Sequence, residues 1–287
     1  MSKRSIKESL SLSDHVERKN RKIVTENKQE ISQDVLVNVL FRFFDYKWLF
    51  QTASLVCREW YELAKKSQFK LNIVLSKNNH QPFVNCCACG RLESITEFVV
   101  RELTWKILQE ICSFNISFKF LEVLDLSHNR IGDDGVQILS NHCKVFETVK
   151  ILNLSSNKIS HKGAQLLKEA TFTRLTHLDL SMNPIGNEGC THIANMAFGP
   201  SLLKLKLYDC NISDIGIKNL LNSTNLNSLT WLNLRFNKIG LEGIQYLENN
   251  GHIMSNLTKL NLRFSLQPSS KDYIKKSSLF TKCQVKM

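Results

Sequence analysis

The chain has 287 residues, of which 43% are hydrophobic and 22% are charged, and this is an ordinary composition for a globular protein. No apolar run approaches the roughly 18–20 residues that a membrane-spanning helix needs. The first residues also lack the apolar core of a secretory signal. We therefore expect an intracellular protein, located in the cytoplasm or the nucleus, whose nine cysteines are free thiols.

The formal net charge of +12 is concentrated at the two ends of the chain. Residues 1–30 hold eight Lys or Arg against five Asp or Glu, and residues 266–287 hold five against one. This charge is spread over polar segments and forms no evident stripe on a folded face. We predict a disordered basic tail over 1–28, a second basic tail over 265–287, and no nucleic-acid partner.

Three short amphipathic helices are predicted between residues 29 and 70. Ser32 is a plausible N-cap for the first helix, and its apolar face includes Leu36 and Leu40. Asp45 precedes a second apolar segment that contains Leu49, and a third helix follows over 55–64. Three helices of this length bury little core, so we expect this segment to need a partner.

The third helix contains the most specific motif of this segment. It reads Leu55-Val56-Cys57-Arg58-Glu59-Trp60 and matches the last part of the F-box pattern, so the segment 29–70 resembles an F-box. The usual Leu-Pro start is replaced by Ile31-Ser32. The resemblance implies docking to a Skp-type adaptor in a cullin–RING ubiquitin ligase complex. The residues that it implies for adaptor binding are Leu36, Leu40, Leu49, Leu55, Val56 and Trp60.

Residues 71–120 are predicted to be a connector that ends in a degenerate N-terminal capping repeat. The connector contains Cys86-Cys87-Ala88-Cys89, which is similar to half of a zinc knuckle, with His80 nearby. The second cysteine pair that such a site requires is missing, so we predict no metal. A helix-like pattern over 100–111 indicates the capping repeat.

One phrase then recurs along residues 121–264. Its copies begin at residues 121, 149, 175, 202, 229 and 257, at intervals of 26 to 28 residues. Asn129, Asn157, Asn183 and Asn237 occupy one fixed position and are predicted to form a buried polar ladder, with Cys210 in the same position as a structural thiol. Each of five copies continues into a helix signature with a glycine at a fixed place.

The phrase resembles the leucine-rich repeat pattern L-x-x-L-x-L-x-x-N/C-x-L, and its period resembles the ribonuclease-inhibitor-like class. The resemblance implies an α/β fold: a right-handed solenoid, or horseshoe, of leucine-rich repeats preceded by a small all-α F-box domain of three helices. Each repeat cannot bury its apolar face alone, so neighbouring repeats are expected to stack.

An F-box followed by leucine-rich repeats resembles an architecture in which the repeats select the substrate of a ubiquitin ligase. The residues between the buried leucines are expected on the concave face, and the later repeats place cations and aromatic rings there. Their chemistry suits an acidic or phosphorylated protein substrate. The predicted substrate-binding residues are Lys204, Lys206, Tyr208, Trp231, Arg235, Lys259 and Arg263.

Other functional readings remain open at this point. The repeats also resemble those of Ran GTPase activators, and a scaffold without ubiquitin output is a further alternative. The sequence contains no nucleophile motif, metal-binding box or Walker loop. We therefore expect a non-catalytic subunit without cofactor.

Overall fold

The computed structural model describes residues 69–74, 84, 95–114, 118–266, 274 and 284–286. The disordered tail predicted over 1–28, the three predicted helices with all six adaptor-binding residues, and the cysteine cluster at 86, 87 and 89 lie outside these residues. Within the described ranges, no helix is long and apolar enough to cross a membrane.

The described residues form one nine-stranded parallel sheet in which the strands follow each other in chain order. The strands are β1 (Phe69–Val74), β2 (Ile95–Arg101), β3 (Val123–Asp125), β4 (Ile151–Asn153), β5 (His177–Asp179), β6 (Lys204–Lys206), β7 (Trp231–Asn233), β8 (Lys259–Asn261) and β9 (Gln284–Lys286).

A helix follows β2 and each of the strands from β3 to β7. These helices are α1 (Trp105–Ser113), α2 (Gly132–Asn141), α3 (His161–Lys168), α4 (Gly186–Ala194), α5 (Asp214–Leu220) and α6 (Leu241–Asn249). Consecutive helices pack against one another, as consecutive strands do. This regular βα alternation fits the expected solenoid of stacked leucine-rich repeats.

The core is a set of leucine columns that run from repeat to repeat. The central residue of each short strand is buried, and the register places Leu124 beside Leu152, Leu152 beside Leu178, and so on to Leu260. The strand residues on either side of this leucine are only partly covered or exposed. The helices therefore cover one face of the sheet, and the other face is open.

The repeated glycine in the helix signature is required by close packing. A β-carbon at Gly135 would collide with the side chain of Ile131, and one at Gly189 would lie 2.5 Å from Cγ2 of Ile185. In both cases the isoleucine closes the turn that precedes the helix, so the glycine lets the helix approach it.

The buried polar ladder is confirmed. The amide nitrogen of Asn183 donates to the carbonyl oxygens of Leu154 and Leu180, each at 2.9 Å. Its amide oxygen accepts from the backbone N–H groups of Asn157 and Ile159. The ladder thus satisfies backbone groups of two adjacent repeats where the strands end.

Three features differ from the sequence-based expectations. The capping helix begins at Trp105, because residues 100 and 101 still belong to β2. The segment predicted to be connector contributes β2 and most of β1 to the sheet, and the two strands pair in parallel. β1 already begins at Phe69, inside the segment predicted to be the F-box. The segment predicted to be a basic C-terminal tail contains β9, which pairs with β8, and a buried Ile274.

Candidate functional site

The open face of the sheet carries the side chains that alternate with the buried leucines on β3–β8 and the second residue after each of these strands. We call this surface the open sheet face. All seven predicted substrate-binding residues lie on it and are partly or fully exposed. The complete set is Val123, Asp125, Ser127, Ile151, Asn153, Ser155, His177, Asp179, Ser181, Lys204, Lys206, Tyr208, Trp231, Asn233, Arg235, Lys259, Asn261 and Arg263.

Two members of this set are not accessible to a ligand. Ser127 and Ser181 were expected to face solvent, but they are 3% and 6% exposed. The hydroxyl of Ser127 donates to Oδ1 of Asp125 at 2.6 Å, and the backbone N–H of Ser181 donates to Oδ1 of Asp179. The hydroxyl of Ser181 accepts from the backbone N–H of Tyr208 in the next repeat at 3.3 Å.

The acidic groups of the open sheet face are each paired with a cation of a neighbouring strand. Arg101 Nη1 lies 3.2 Å from Oδ1 of Asp125, and Lys206 Nζ lies 3.0 Å from Oδ2 of Asp179. Burial of Asp125 opposes ionisation, but the hydrogen bonds from Ser127 and the pairing with Arg101 outweigh it and lower the pKa of this carboxyl. Both carboxylates are therefore neutralised locally.

Four cations of the late repeats have no such partner. Among the described residues, no ion pair involves Lys204, Arg235, Lys259 or Arg263. Burial, followed by the charges of Lys204 and Lys206, lowers the pKa of His177 on β5. The part of the open sheet face formed by β6, β7 and β8 is thus electropositive.

Aromatic rings lie among these cations. The Nζ atoms of Lys204 and Lys206 are 5.8 and 5.6 Å from the centre of the Trp231 ring. At these distances both ammonium groups are attracted to the ring. The indole therefore holds the two lysines side by side across β6 and β7.

A second group of rings surrounds Arg235, and sequence reasoning found only part of it. The guanidinium carbon lies 4.9 Å from the ring centre of Phe236, 5.1 Å from that of Phe264 and 5.7 Å from that of Tyr208. The rings of Phe236 and Phe264 stack at 4.8 Å, and Tyr208 meets Phe236 edge to face at 5.5 Å. We call Tyr208, Arg235, Phe236 and Phe264 the aromatic–arginine cluster.

Phe236 and Phe264 occupy an unusual backbone position. Every repeat has a left-handed residue immediately before the ladder position, and these two have φ values of 56° and 58°. Bulky residues rarely adopt this conformation. The two rings are also largely exposed to solvent, by 43% and 60%. A comparison of the same position across the repeats, where Ser156 and Asp209 also lie, would have revealed these two aromatic residues.

A shallow depression of about 280 Å³ opens next to this cluster. Arg235, Lys206 and the paired Asp179 contribute its charged groups, and Asn233 and Asn261 contribute amides. The amide oxygens of the two asparagines accept from the backbone N–H groups of Arg235 and Arg263, each at 3.2 Å. Their NH₂ groups make no hydrogen bond among the described residues.

The described residues contain no group of three or more His, Cys, Asp or Glu side chains that could hold a metal ion. The thiols of Cys112, Cys143, Cys190 and Cys210 are free and buried. Burial raises the pKa of Cys112 and of Cys210 to about 12. Such thiols remain protonated at neutral pH, so they are neither nucleophiles nor thiolate ligands.

Comparison with known proteins agrees with the repeat architecture. A family model described as "Leucine Rich repeat" matches residues 119–140, 147–168, 173–194 and 225–247. No curated protein matches the chain significantly. The matched ranges coincide with the βα units of β3, β4, β5 and β7, so the chain contains leucine-rich repeats.

Proposed function

We propose that this chain is the non-catalytic substrate-recognition subunit of a Skp–cullin–F-box ubiquitin ligase, acting in the cytoplasm or the nucleus. In this proposal the F-box-like segment 29–70 docks to a Skp-type adaptor, and the open sheet face binds the protein substrate. The observation that carries the proposal is the open sheet face itself. Its late repeats combine unpaired cations with exposed aromatic rings in a chain that also carries the F-box-like motif.

The side chains of this face suit a protein partner. Leucine-rich repeats are typical of protein–protein interaction, and Arg, Tyr and Trp are the residues that contribute most to binding energy at protein interfaces. Tyr208, Trp231 and Arg235 lie on two adjacent strand–loop units of one sheet, those of β6 and β7. They are spaced to contact a single partner segment.

The adaptor part of the proposal is tested by the double substitution Val56→Ala and Trp60→Ala in the full chain. These residues belong to the F-box-like motif, so the variant should lose co-purification with the Skp-type adaptor. Trp231→Ala serves as the control, since it removes an indole from the open sheet face and should leave the adaptor bound. A folded double variant that retains the adaptor would refute this part.

The substrate part is tested by charge reversal at Lys204 and Arg263. Both lack an acidic neighbour, whereas a carboxylate in place of Lys206 would face Asp179, from which Lys206 Nζ is now 3.0 Å away, and would destabilise the repeat. The double variant Lys204→Glu/Arg263→Glu should lose its captured partner and keep the adaptor. The matched control is Lys162→Glu/Arg174→Glu, which reverses two exposed cations outside the open sheet face.

Affinity purification with and without proteasome inhibition then separates a ligase subunit from a scaffold. A substrate should be enriched on inhibition and should carry ubiquitin that depends on Val56 and Trp60. A partner that binds the open sheet face but is never ubiquitylated would contradict the ligase role and support a scaffold.

A further inference from the structure

We propose that the depression beside Arg235 binds the phosphoryl group of a phosphorylated side chain, presented by an extended segment of the partner protein. This inference rests on the proposed use of the open sheet face for partner binding. It specifies the chemistry that this face recognises. Hydrogen-bond donors, charge and ring geometry each support it.

The first argument is that Arg235 is held in place before any ligand arrives. Three rings of the aromatic–arginine cluster lie within 4.9 to 5.7 Å of its guanidinium carbon. An arginine fixed in this way loses little conformational freedom on binding an anion. Arginine also matches the oxygen pattern of a phosphoryl group through its planar fork of N–H donors.

The second argument is an unused donor. The Nε–H of Arg235 is buried and has no acceptor among the described residues. Buried polar groups are nearly always hydrogen-bonded, so an exception calls for an explanation. The two terminal NH₂ groups of Arg235 also make no hydrogen bond among the described residues and are not buried. These outer groups remain as donors for a phosphoryl oxygen in the adjacent depression.

The third argument is the supply of neutral donors around the depression. Because the amide oxygens of Asn233 and Asn261 are engaged by backbone N–H groups, their orientation is fixed and the NH₂ groups remain as donors. A phosphoryl group has three acceptor oxygens, which is more than a carboxylate offers. Arg235, Asn233 and Asn261 together supply N–H donors for all three of these oxygens.

Charge distinguishes a phosphoryl group from a carboxylate. Lys206 is already neutralised by Asp179, yet Lys204, Arg235, Lys259 and Arg263 remain unpaired on adjacent units of the sheet. Of these four cations only Arg235 lines the depression, and the other three lie on the strand–loop units of β6 and β8 that border it. One carboxylate would leave most of the charge of this region uncompensated. A phosphorylated residue carries a charge of about −1.5 to −2 at pH 7. It therefore neutralises roughly twice as much positive charge as a carboxylate does.

The rings favour a peptide over a nucleic acid. Nucleic acids bind to such surfaces by stacking bases on free aromatic faces. The Phe236 ring has Arg235 at 4.9 Å and the Phe264 ring stacked at 4.8 Å, so these two rings already stack on each other rather than standing free for a base. The exposed remainder of Phe264 is instead suited to pack against an apolar side chain next to the phosphorylated residue.

The test measures binding of fluorescein-labelled peptide libraries to the purified full chain by anisotropy. Each library has degenerate flanks and one fixed central residue, which is phosphoserine, glutamate or serine. We expect the phosphoserine library to bind at least tenfold more tightly than either of the others. Arg235→Gln should remove this preference, whereas Arg174→Gln, which neutralises an exposed arginine elsewhere, should change affinity less than twofold.

Arg235→Lys is the second variant, and it keeps the proposal testable if Arg235→Gln unfolds the last repeats. Lysine keeps the charge but lacks the planar fork, so affinity for the phosphoserine library should still fall severalfold. Equal binding of the glutamate and phosphoserine libraries, or undiminished binding by a folded Arg235 variant, would overturn the proposal. Preferential binding of a random single-stranded RNA would overturn it in favour of a nucleic-acid ligand.

Failure of this inference is distinguishable from failure of the proposed function. Adaptor co-purification and the Lys204→Glu/Arg263→Glu capture experiment report on the proposed function without reference to phosphate. If the substrate is lost in that variant while the phosphoserine library shows no preference, the open sheet face binds protein but not a phosphoryl group. Treatment of the captured substrate with a phosphatase should release it if the inference is right.

Discussion

The ladder residue is the smallest unit that holds neighbouring repeats together. Asn183 is 1% exposed. Its amide oxygen accepts hydrogen bonds from two backbone N–H groups of the preceding repeat. Its NH₂ group donates to carbonyls on both sides of the repeat boundary. No apolar residue could satisfy these groups, and each buried group left unsatisfied costs about 1–3 kcal/mol.

We predict that Asn183→Ala lowers the free energy of unfolding by about 3 kcal/mol or more, because it leaves several buried backbone groups without partners. Asn249→Ala is the matched control, since that exposed asparagine makes no side-chain hydrogen bond and should change stability by less than about 0.5 kcal/mol. Urea unfolding followed by circular dichroism measures both. Equal effects of the two substitutions would show that the ladder does not stabilise the repeats.

Cys210 fills the ladder position of its repeat with a weaker donor. Its Sγ lies 3.3 Å from the carbonyl oxygen of Leu180, where asparagines elsewhere donate at 2.7 to 3.0 Å. Burial raises the pKa of this thiol to about 12, while a thiol in the unfolded chain titrates near 8.5. The folded state therefore keeps a proton that the unfolded state loses as pH rises.

This difference predicts a pH dependence of stability. The contribution of Cys210 is fully present below about pH 8.5 and is lost as pH rises towards about 12, with a limiting slope of about 1.4 kcal/mol per pH unit. Cys210→Asn should lower the slope between pH 9 and 10.5 and should add stability through the amide hydrogen bonds. The measurement is urea unfolding in the presence of a thiol reductant. Identical slopes for both proteins would contradict the burial argument.

At the scale of elements, the C-terminal end of the sheet is closed by an unexpected strand. The backbone N–H of Leu262 donates to the carbonyl oxygen of Lys286 at 2.8 Å, and that of Gln284 donates to Thr258 at 2.8 Å. Ser265 takes the next ladder position: its hydroxyl accepts from Asn237 N–H at 2.9 Å and donates to Leu234. These contacts protect β8 from being an open edge.

We predict that removal of residues 284–287 exposes the edge of β8 and loosens the last repeat. Amide hydrogen exchange should accelerate at least tenfold at Leu262, whose acceptor is lost, and should be unchanged at Leu126, which donates to Asn153 within the first repeats. In a repeat protein each unit contacts mainly its neighbours, so the effect should decay along the chain. Unchanged exchange at Leu262 would mean that β9 contributes nothing to closing the sheet.

At the scale of the whole molecule, the open sheet face divides into two electrostatic regions. The early strands carry Asp125, paired with Arg101, while the later strands carry the four unpaired cations and the aromatic–arginine cluster. Fields from such exposed groups are screened over about 10 Å at 0.1 M salt. The basic end is therefore expected to attract acidic partners over short distances.

Salt dependence should separate the two proposed interactions. Binding of the substrate to the open sheet face should weaken at least tenfold between 50 and 500 mM NaCl, since it depends on exposed charges. Binding of the adaptor through the mainly apolar F-box-like residues should change much less. Both can be measured on immobilised full-length protein over one salt series. Salt-independent capture of the substrate would argue against an electrostatic role for Lys204 and Arg263.

Sequence reasoning was accurate where the repeat imposes one geometry on every copy. The leucine columns, the asparagine ladder with Cys210, and the positions of the open sheet face all follow from spacing alone. It was wrong at the ends of the repeat array, where the pattern is degenerate. Residues 100 and 101 were assigned to a helix but end β2, and the segment assigned to a basic tail contains β9.

The amino-acid sequence by itself determined how many complete repeats there are, where each begins and which of its residues face the core. The reason is that leucines at fixed places in a period near 27 residues can be buried together in only one way. Only the tertiary structure decided which charged side chains form ion pairs with each other. The pairing of Lys206 with Asp179 and the contact of Arg235 with Phe264 join side chains of neighbouring repeats, about one period apart in the sequence. Such contacts depend on the rotamers of side chains that differ from repeat to repeat, so the period of the sequence does not predict them.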